Sequence, residues 1–138
     1  MTIQPILKDT ERIDQLATND VKIIQSRDVF SYSIDAVLLS RFPNIPSRGQ
    51  IVDLCAGNGA VGLFASSSTT AKIFEVEIQD RLADMAKRSV ALNGLAEQVE
   101  VIQDDLANTL SYLKPSSTDL IFCNPPYFKL DHLSRVDR

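Results

Sequence analysis

The fold class of this chain follows from one segment, Ile51-Val52-Asp53-Leu54-Cys55-Ala56-Gly57-Asn58-Gly59-Ala60-Val61-Gly62. The segment begins with a short apolar run that is typical of a buried strand, and it ends in the pattern G-x-G-x-x-G. Glycines at such a junction allow a tight turn and let a ligand approach the backbone. The segment therefore predicts a strand, a ligand-binding turn and a helix in direct succession.

The rest of the chain continues this alternation. β-rich apolar runs occur at residues 51–54, 72–78, 99–102 and 119–123, and segments of helical period separate them. The pattern predicts an α/β protein with a doubly wound, mostly parallel sheet, of which this chain holds four strands.

The helices between these strands have their own signals. We expect Asp80 to cap the second helix and Asn93-Gly94 to end it, because glycine readily adopts the left-handed conformation of a helix stop. Leu106, Leu110 and Leu113 are spaced as one face of a third helix.

The segment before Gln50 differs from this pattern. Residues 21–25 and Val29-Phe30 predict the two strands of a hairpin, and Ser33 predicts the start of a helix. We expect residues 1–46 to form this hairpin and helix and to pack on the ligand site of an α/β domain that covers residues 47–138.

The composition excludes several classes of protein. The chain has 138 residues with 14 basic and 18 acidic side chains, and a net charge of -4 does not suit a stand-alone binder of nucleic-acid backbones. Two cysteines and one histidine cannot build a disulfide scaffold or a closely spaced zinc site, so we expect reduced thiols and no metal. No apolar run approaches the ~20 residues that cross a bilayer, which favours a cytoplasmic protein without a membrane partner.

An acidic residue lies at the carboxyl end of the second predicted strand, at a defined distance from the glycine turn. Glu77 lies twenty positions after Gly57, where a carboxylate can accept hydrogen bonds from both ribose hydroxyls of an adenosine. Together with the glycine turn, Glu77 predicts a nucleoside-binding crevice. The alternative is a tight turn without a ligand and a solvated acid at the end of a strand.

The acid inside the first strand indicates the type of nucleoside. Asp53 stands four residues before Gly57, and a buried negative charge at this place would repel a pyrophosphate. Asp53 therefore argues against a dinucleotide.

The tetrapeptide Asn124-Pro125-Pro126-Tyr127 directly follows the fourth strand. Two consecutive prolines fix the backbone and remove two donors, so that the Asn124 side-chain oxygen and the Pro125 carbonyl can accept both hydrogens of a planar amino group. Tyr127 can stack on the π system of that group. The segment predicts a site for a conjugated amine, and the alternative is a structural turn.

Residues 53–59 resemble the first motif of S-adenosylmethionine-dependent methyltransferases. In combination with Glu77 and residues 124–127, they are similar to the amino-methyltransferases of the Rossmann-like class I fold. The resemblance implies S-adenosylmethionine as the cofactor, with Asp53 suited to its positive charge and Gly57 and Gly59 beside its amino-acid part.

Two further parts of the cofactor site are implied by the same resemblance. Asp105 stands where this family accepts a hydrogen bond from the adenine amino group; its neighbour Asp104 could be the contact instead, and either could be only a helix cap. Residues 30–39 look like a segment of the bacterial tRNA1(Val) adenine-N6 methyltransferase group that closes over the methionine end of the cofactor. Phe30 and Asp35 would then contribute to the site, although Phe30 could be a core residue and Asp35 a first-turn helix acid.

The resemblance implies methylation of an adenine N6 amino group in tRNA, with the RNA held mainly by parts outside this chain. Glutamine-N5 methylation of a protein is the nearest alternative, and a non-catalytic cofactor-binding module is another. Members of the group continue for about as long again with three more strands, and their strand order places strands one to four as 3-2-1-4. We therefore expect either the N-terminal part of a longer enzyme or a homodimer that forms through strand four.

Overall fold

A computed structural model describes residues 7–15, 21–27, 44–114 and 117–123 of the chain. The elements are, in chain order, β1 (Glu11–Gln15), β2 (Lys22–Ser26), β3 (Gln50–Leu54), α1 (Ala60–Ser66), β4 (Lys72–Glu77), α2 (Asp80–Leu92), β5 (Val99–Gln103), a 3-10 helix (Leu106–Ser111) and β6 (Leu120–Cys123).

The four strands from the second half of the chain form one parallel sheet in the order β5-β4-β3-β6. This confirms the α/β fold class and the predicted order 3-2-1-4. Leu54, the last residue of β3, pairs with Val76 of β4 on one side and with Cys123 of β6 on the other. The carboxyl ends of these three strands therefore meet at one edge, where parallel α/β sheets bind their ligands.

Both faces of the sheet are apolar. The core on one face includes Ile51, Ile73 and Phe122, which pack with Leu63 of α1. On the other face, Val52, Val76 and Ile102 pack with Leu113. The sheet is buried on both sides at its centre, as the near-continuous apolar runs of parallel strands require.

The prediction of a third helix with Leu106, Leu110 and Leu113 on one face is wrong. The segment forms a six-residue 3-10 helix, and Leu106 and Leu110 are 47% and 69% exposed whereas Leu113 is 8% exposed. A 3-10 helix has about three residues per turn, so a spacing of four and seven residues no longer places side chains on one face.

The N-terminal hairpin also differs from its prediction. Residues 22–26 pair antiparallel with β1, which precedes them, and not with Val29-Phe30, which lies outside the described residues. β1 contains a single apolar residue, Ile13, among charged and amide side chains, so the apolar pattern could not reveal it.

The hairpin packs on α2 through an ion pair and a shared core. The Nη1 and Nη2 atoms of Arg88 donate to the two oxygens of the Glu11 carboxylate, at 2.6 and 2.8 Å, and this pair holds the pKa of Glu11 down to about 2. Ile24 is fully buried against Leu82 and Met85 of α2. α2 is thus a bridge between the hairpin and the sheet.

The ends of α2 agree only in part with expectation. Gln79 precedes the helix, and Asp80 lies in the first turn without a capping hydrogen bond, so the cap at Asp80 is wrong. The stop is confirmed, because Gly94 has a φ of 67° and its N–H donates to the carbonyl of Ala91. Among the helices that the structure describes, none has the length and apolar character needed to cross a membrane.

Candidate functional site

The glycine turn joins β3 to α1 at the carboxyl edge of the sheet. Gly57 and Gly59 have φ angles of 60° and 90°, in the left-handed region that favours glycine. A Cβ at Gly57 would meet no atom of the described residues within 4 Å, so its outer side is open toward them. A ligand can therefore lie directly against the backbone at Gly57, as the sequence predicts.

Glu77 fixes the conformation of this turn. One carboxylate oxygen accepts the N–H of Gly57 at 2.7 Å, and the other accepts the N–H of Gln79 at 2.9 Å. Glu77 is 6% exposed, which excludes the alternative of a solvated acid at a strand end. A carboxylate offers about four acceptor positions, so two remain for a ligand after these two contacts.

Asp53 is a buried acid without a hydrogen-bond partner among the described residues. It is 1% exposed, and neither carboxylate oxygen has a hydrogen-bond partner in the part of the chain that the structure describes. Burial, with a smaller contribution from the charge of Glu77, raises the pKa of Asp53 to about 8. Such a carboxyl group suits a cationic ligand atom, because a nearby positive charge would favour the ionised form of Asp53.

Glu75 is a second buried acid, and it is not among the site residues predicted from the sequence. Its register partner in β3 is Asp53, it is 0% exposed, and neither carboxylate oxygen has a partner among the described residues. Burial and the nearby Asp53 raise the pKa of Glu75 well above its ordinary value. A sequence signal for Glu75 does exist. It is a glutamate inside an apolar strand, two positions before Glu77 and therefore on the same face of the sheet as Glu77.

Two glycines leave room for the Glu75 side chain. A Cβ at Gly59 would stand 2.9 Å from a Glu75 carboxylate oxygen, and a Cβ at Gly62 would stand 2.9 Å from its carboxyl carbon. Of the three glycines in G-x-G-x-x-G, Gly57 alone has a side that no described residue covers, whereas Gly59 and Gly62 accommodate Glu75. Among the described residues, no three His, Cys, Asp or Glu side chains are placed to hold a metal ion.

The acids after β5 are occupied by local hydrogen bonds. Asp105 caps the 3-10 helix by accepting the N–H of Ala107 at 2.9 Å, which is the capping role left open above. Asp104 accepts hydrogen bonds from Asn108 and from the Tyr112 hydroxyl, at 2.9 and 2.6 Å, and these contacts lower its pKa. A contact of either acid with adenine stays a prediction.

The methyltransferase small domain family model matches residues 20–135. The chain belongs to this family. This result confirms the resemblance to class I methyltransferases.

Two curated relatives of this methyltransferase small domain are named tRNA1(Val) (adenine(37)-N6)-methyltransferase. The protein from Bacteroides thetaiotaomicron is 35% identical over 106 residues, which cover 75% of this chain and 43% of that protein. The protein from Aliivibrio fischeri strain ES114 is 35% identical over 97 residues, which cover 70% of this chain and 40% of that protein. The chain therefore spans less than half the length of these relatives.

Solved structures with a similar fold include P. horikoshii TYW2 in complex with MeSAdo, with a TM-score of 0.66, 17% identity and coverage of 83% of this chain and 42% of that one. A SAM-dependent methyltransferase from Agrobacterium tumefaciens has a TM-score of 0.64 and 18% identity. The match covers 90% of this chain and 42% of that one. At such identities the likeness concerns the fold alone, and it confirms the class I architecture.

The structure of this small domain brings together part of the predicted site. Asp53, Gly57, Gly59 and Glu77 lie at the carboxyl ends of β3 and β4. Asp105 lies after β5 and caps the 3-10 helix. The remaining predicted site residues, which are Phe30, Asp35, Asn124, Pro125 and Tyr127, lie outside the described residues.

We expect Gly62→Ala to destabilise the small domain by about 1–3 kcal/mol, although alanine is the better helix former by about 1 kcal/mol. The reason is the overlap of the new methyl group with Glu75. In a Glu75→Ala background the same substitution should be neutral or stabilising. Urea unfolding of the four proteins measures both effects, and stabilisation by Gly62→Ala in both backgrounds would contradict the packing argument.

Proposed function

We propose that this chain binds S-adenosylmethionine and forms the cofactor-binding part of a methyltransferase that acts on the N6 amino group of an adenine in tRNA. The observation that carries the cofactor assignment is the buried Asp53, which has no hydrogen-bond partner among the described residues and lies beside a glycine turn that is hydrogen-bonded to Glu77. The acceptor assignment is supported by the names of the relatives and by residues 124–127.

The residues of the crevice fit the parts of this cofactor. Glu77 has two free acceptor positions for the ribose hydroxyls, and the open side of Gly57 leaves room for the amino-acid part. Asp53 supplies a negative charge in a low-dielectric site for the sulfonium and ammonium groups. Because Asp53 has a pKa of about 8 when no cation is bound, binding of a cation is expected to release a proton near neutral pH.

The transfer itself requires orientation and no strong base. When bound, S-adenosylmethionine would supply an electrophilic methyl group on a positively charged sulfur, and the acceptor nitrogen that takes up this methyl group would lose one proton. Asn124 and Pro125 would accept hydrogen bonds from the amine, which favours the pyramidal geometry of an attacking nitrogen. Tyr127 would stack on the base after its removal from the helix stack, which costs a few kcal/mol.

The substrate class is tested by methyl incorporation from labelled cofactor. Unmodified tRNA and a release-factor protein serve as the two acceptors, because an adenine and a glutamine side chain both present a flat amino group. Labelled tRNA supports the proposal, labelled protein supports glutamine-N5 methylation, and binding of the cofactor without transfer in the full-length protein supports a non-catalytic module.

Glu77→Ala is expected to weaken binding of S-adenosylhomocysteine roughly ten- to hundredfold, the effect of losing about 1.5–3 kcal/mol of charge-assisted hydrogen bonding. Titration calorimetry measures this affinity. Glu97→Ala is the matched control, because Glu97 is exposed and lies before β5, away from the glycine turn.

Glu77→Gln separates the two roles of Glu77, which are the hydrogen bond to the Gly57 N–H and the proposed contact with the ribose hydroxyls. The amide oxygen can still accept the Gly57 N–H and hold the turn, but it offers no charged acceptor to the ribose. Unchanged affinity in a folded Glu77→Ala variant would remove Glu77 from the cofactor site.

A further inference from the structure

Cys55 and Cys123 are the only cysteines of the chain, and the fold places them side by side. β3 and β6 are parallel neighbours in which Leu54 is paired with Cys123, and Cys55 is the next residue after Leu54. Neighbouring strands lie about 4.8 Å apart and rise about 3.3 Å per residue, which puts the two Cα atoms about 6 Å apart. Disulfides span Cα separations of roughly 4.4–6.8 Å.

The side chains agree with this backbone distance. The Cys123 thiol lies near enough to the Cys55 thiol to raise its pKa, both cysteines are free, Cys55 is partly exposed and Cys123 is exposed. Burial, the charges of Glu77 and Asp53 and the contact with Cys123 together raise the pKa of the Cys55 thiol to about 11, with burial the largest cause. Cys55 is therefore protonated at neutral pH, and an oxidant from solvent meets the exposed Cys123 first.

We propose that Cys55 and Cys123 are a reversible disulfide site, formed by a hydroperoxide across the carboxyl ends of β3 and β6. The Cys123 sulfur attacks one oxygen of hydrogen peroxide, the O–O bond breaks, and a sulfenic acid and one water form. The Cys55 thiol loses its proton as its sulfur attacks the sulfenic sulfur, and the sulfenic oxygen leaves with that proton as a second water. Two thiols lose two electrons and two protons, and the peroxide is reduced to water. A small thiol such as glutathione reverses the bond by exchange.

The disulfide would lie between the two parts of the proposed methyltransferase site, the cofactor turn and the acceptor segment at residues 124–127. Cys55 is the first residue after β3, at the start of the turn that leads to Gly57, and Cys123 is the last residue before Asn124. A covalent bond between them ties the beginning of the acceptor segment to the cofactor turn. This consequence rests on the proposed function, whereas the disulfide itself concerns the thiols alone and is tested without any methyl transfer.

The test is oxidation of the native, reduced chain by stoichiometric hydrogen peroxide, followed by alkylation with iodoacetamide and intact mass measurement. We expect a monomer about 2 Da lighter than the reduced chain, with no alkylated thiol, and recovery of two alkylatable thiols after treatment with dithiothreitol. Cys55→Ser and Cys123→Ser are the controls, and neither should give the lighter monomer.

Three results would overturn the proposal. Both thiols could stay alkylatable after peroxide treatment, Cys123 could be oxidised to the sulfinic acid with Cys55 still free, or the disulfide could form only between two chains. The last case is visible as a dimer on a non-reducing gel.

Discussion

An Asp53→Asn variant is expected to be more stable than the wild-type protein by about 2–4 kcal/mol at pH 7 and to lose much less stability as the pH rises from about 4 to about 8. Asp53 ionises near 3.8 in the unfolded chain, but burial raises its pKa to about 8 in the folded protein. Between these values unfolding releases a proton, so a rising pH favours the unfolded state. Asparagine has no proton to release.

Urea unfolding at pH 5 and pH 8 measures this difference. Asp9→Asn serves as the control, because Asp9 is an exposed carboxylate in the N-terminal part. Glu75 acts in the same direction, since its pKa is also raised, so the variant keeps part of the pH dependence and the double substitution with Glu75→Gln should remove most of it. Equal pH dependence in the wild type and in Asp53→Asn would contradict the buried, protonated state of Asp53.

The same substitution is expected to weaken the binding of S-adenosylhomocysteine, because the amide carries no charge for the ammonium group. Glu75→Gln should leave this affinity unchanged, since the Glu75 side chain lies beneath Gly59 and Gly62. A gain in stability combined with a loss in affinity is typical of residues that are retained for a site and not for the fold.

Asn124→Ala is expected to lower the rate of methyl transfer by about 10²–10³-fold, which is the usual effect of removing one hydrogen-bonding group that acts in the transition state. Cofactor affinity should change by no more than a few fold, because Asn124 is proposed to contact the acceptor amine. The measurement is incorporation of labelled methyl groups into tRNA by a full-length form of the protein.

Two further variants complete this experiment. Asn124→Asp should retain part of the activity, since a carboxylate also accepts hydrogen bonds from an amino group. Asn44→Ala is the control, because Asn44 is exposed and precedes β3. Near-normal turnover by Asn124→Ala would exclude the assigned role of the asparagine.

The parts of the fold that local sequence determines could be predicted. The strands of the parallel sheet are apolar runs, and Gly57 and Gly94 mark backbone positions with positive φ. The order of the strands, by contrast, came from the resemblance to a family. β1 was missed because its pairing with β2 depends on backbone hydrogen bonds and on the ion pair with Arg88, which lies far along the chain.

The candidate site likewise has features that the sequence predicts and features that only the fold shows. The spacing from Gly57 to Glu77 predicted that both belong to one site, but only the fold shows that the carboxylate accepts the Gly57 N–H. Glu75 was missed because a charged residue in a central strand contradicts the expectation of an apolar core. Its place is explained by Gly59 and Gly62, which are distant in sequence and leave the volume that it fills.

The close fit between Glu75 and Gly62 also constrains how this domain can evolve. A methyl group at position 62 overlaps the carboxyl group of Glu75, so alanine becomes acceptable there only after residue 75 has become smaller. The two positions should show epistasis, in which the order of the substitutions decides whether the intermediate survives. Aligned relatives with a short side chain at position 75 are then the ones in which alanine or serine should occur at position 62.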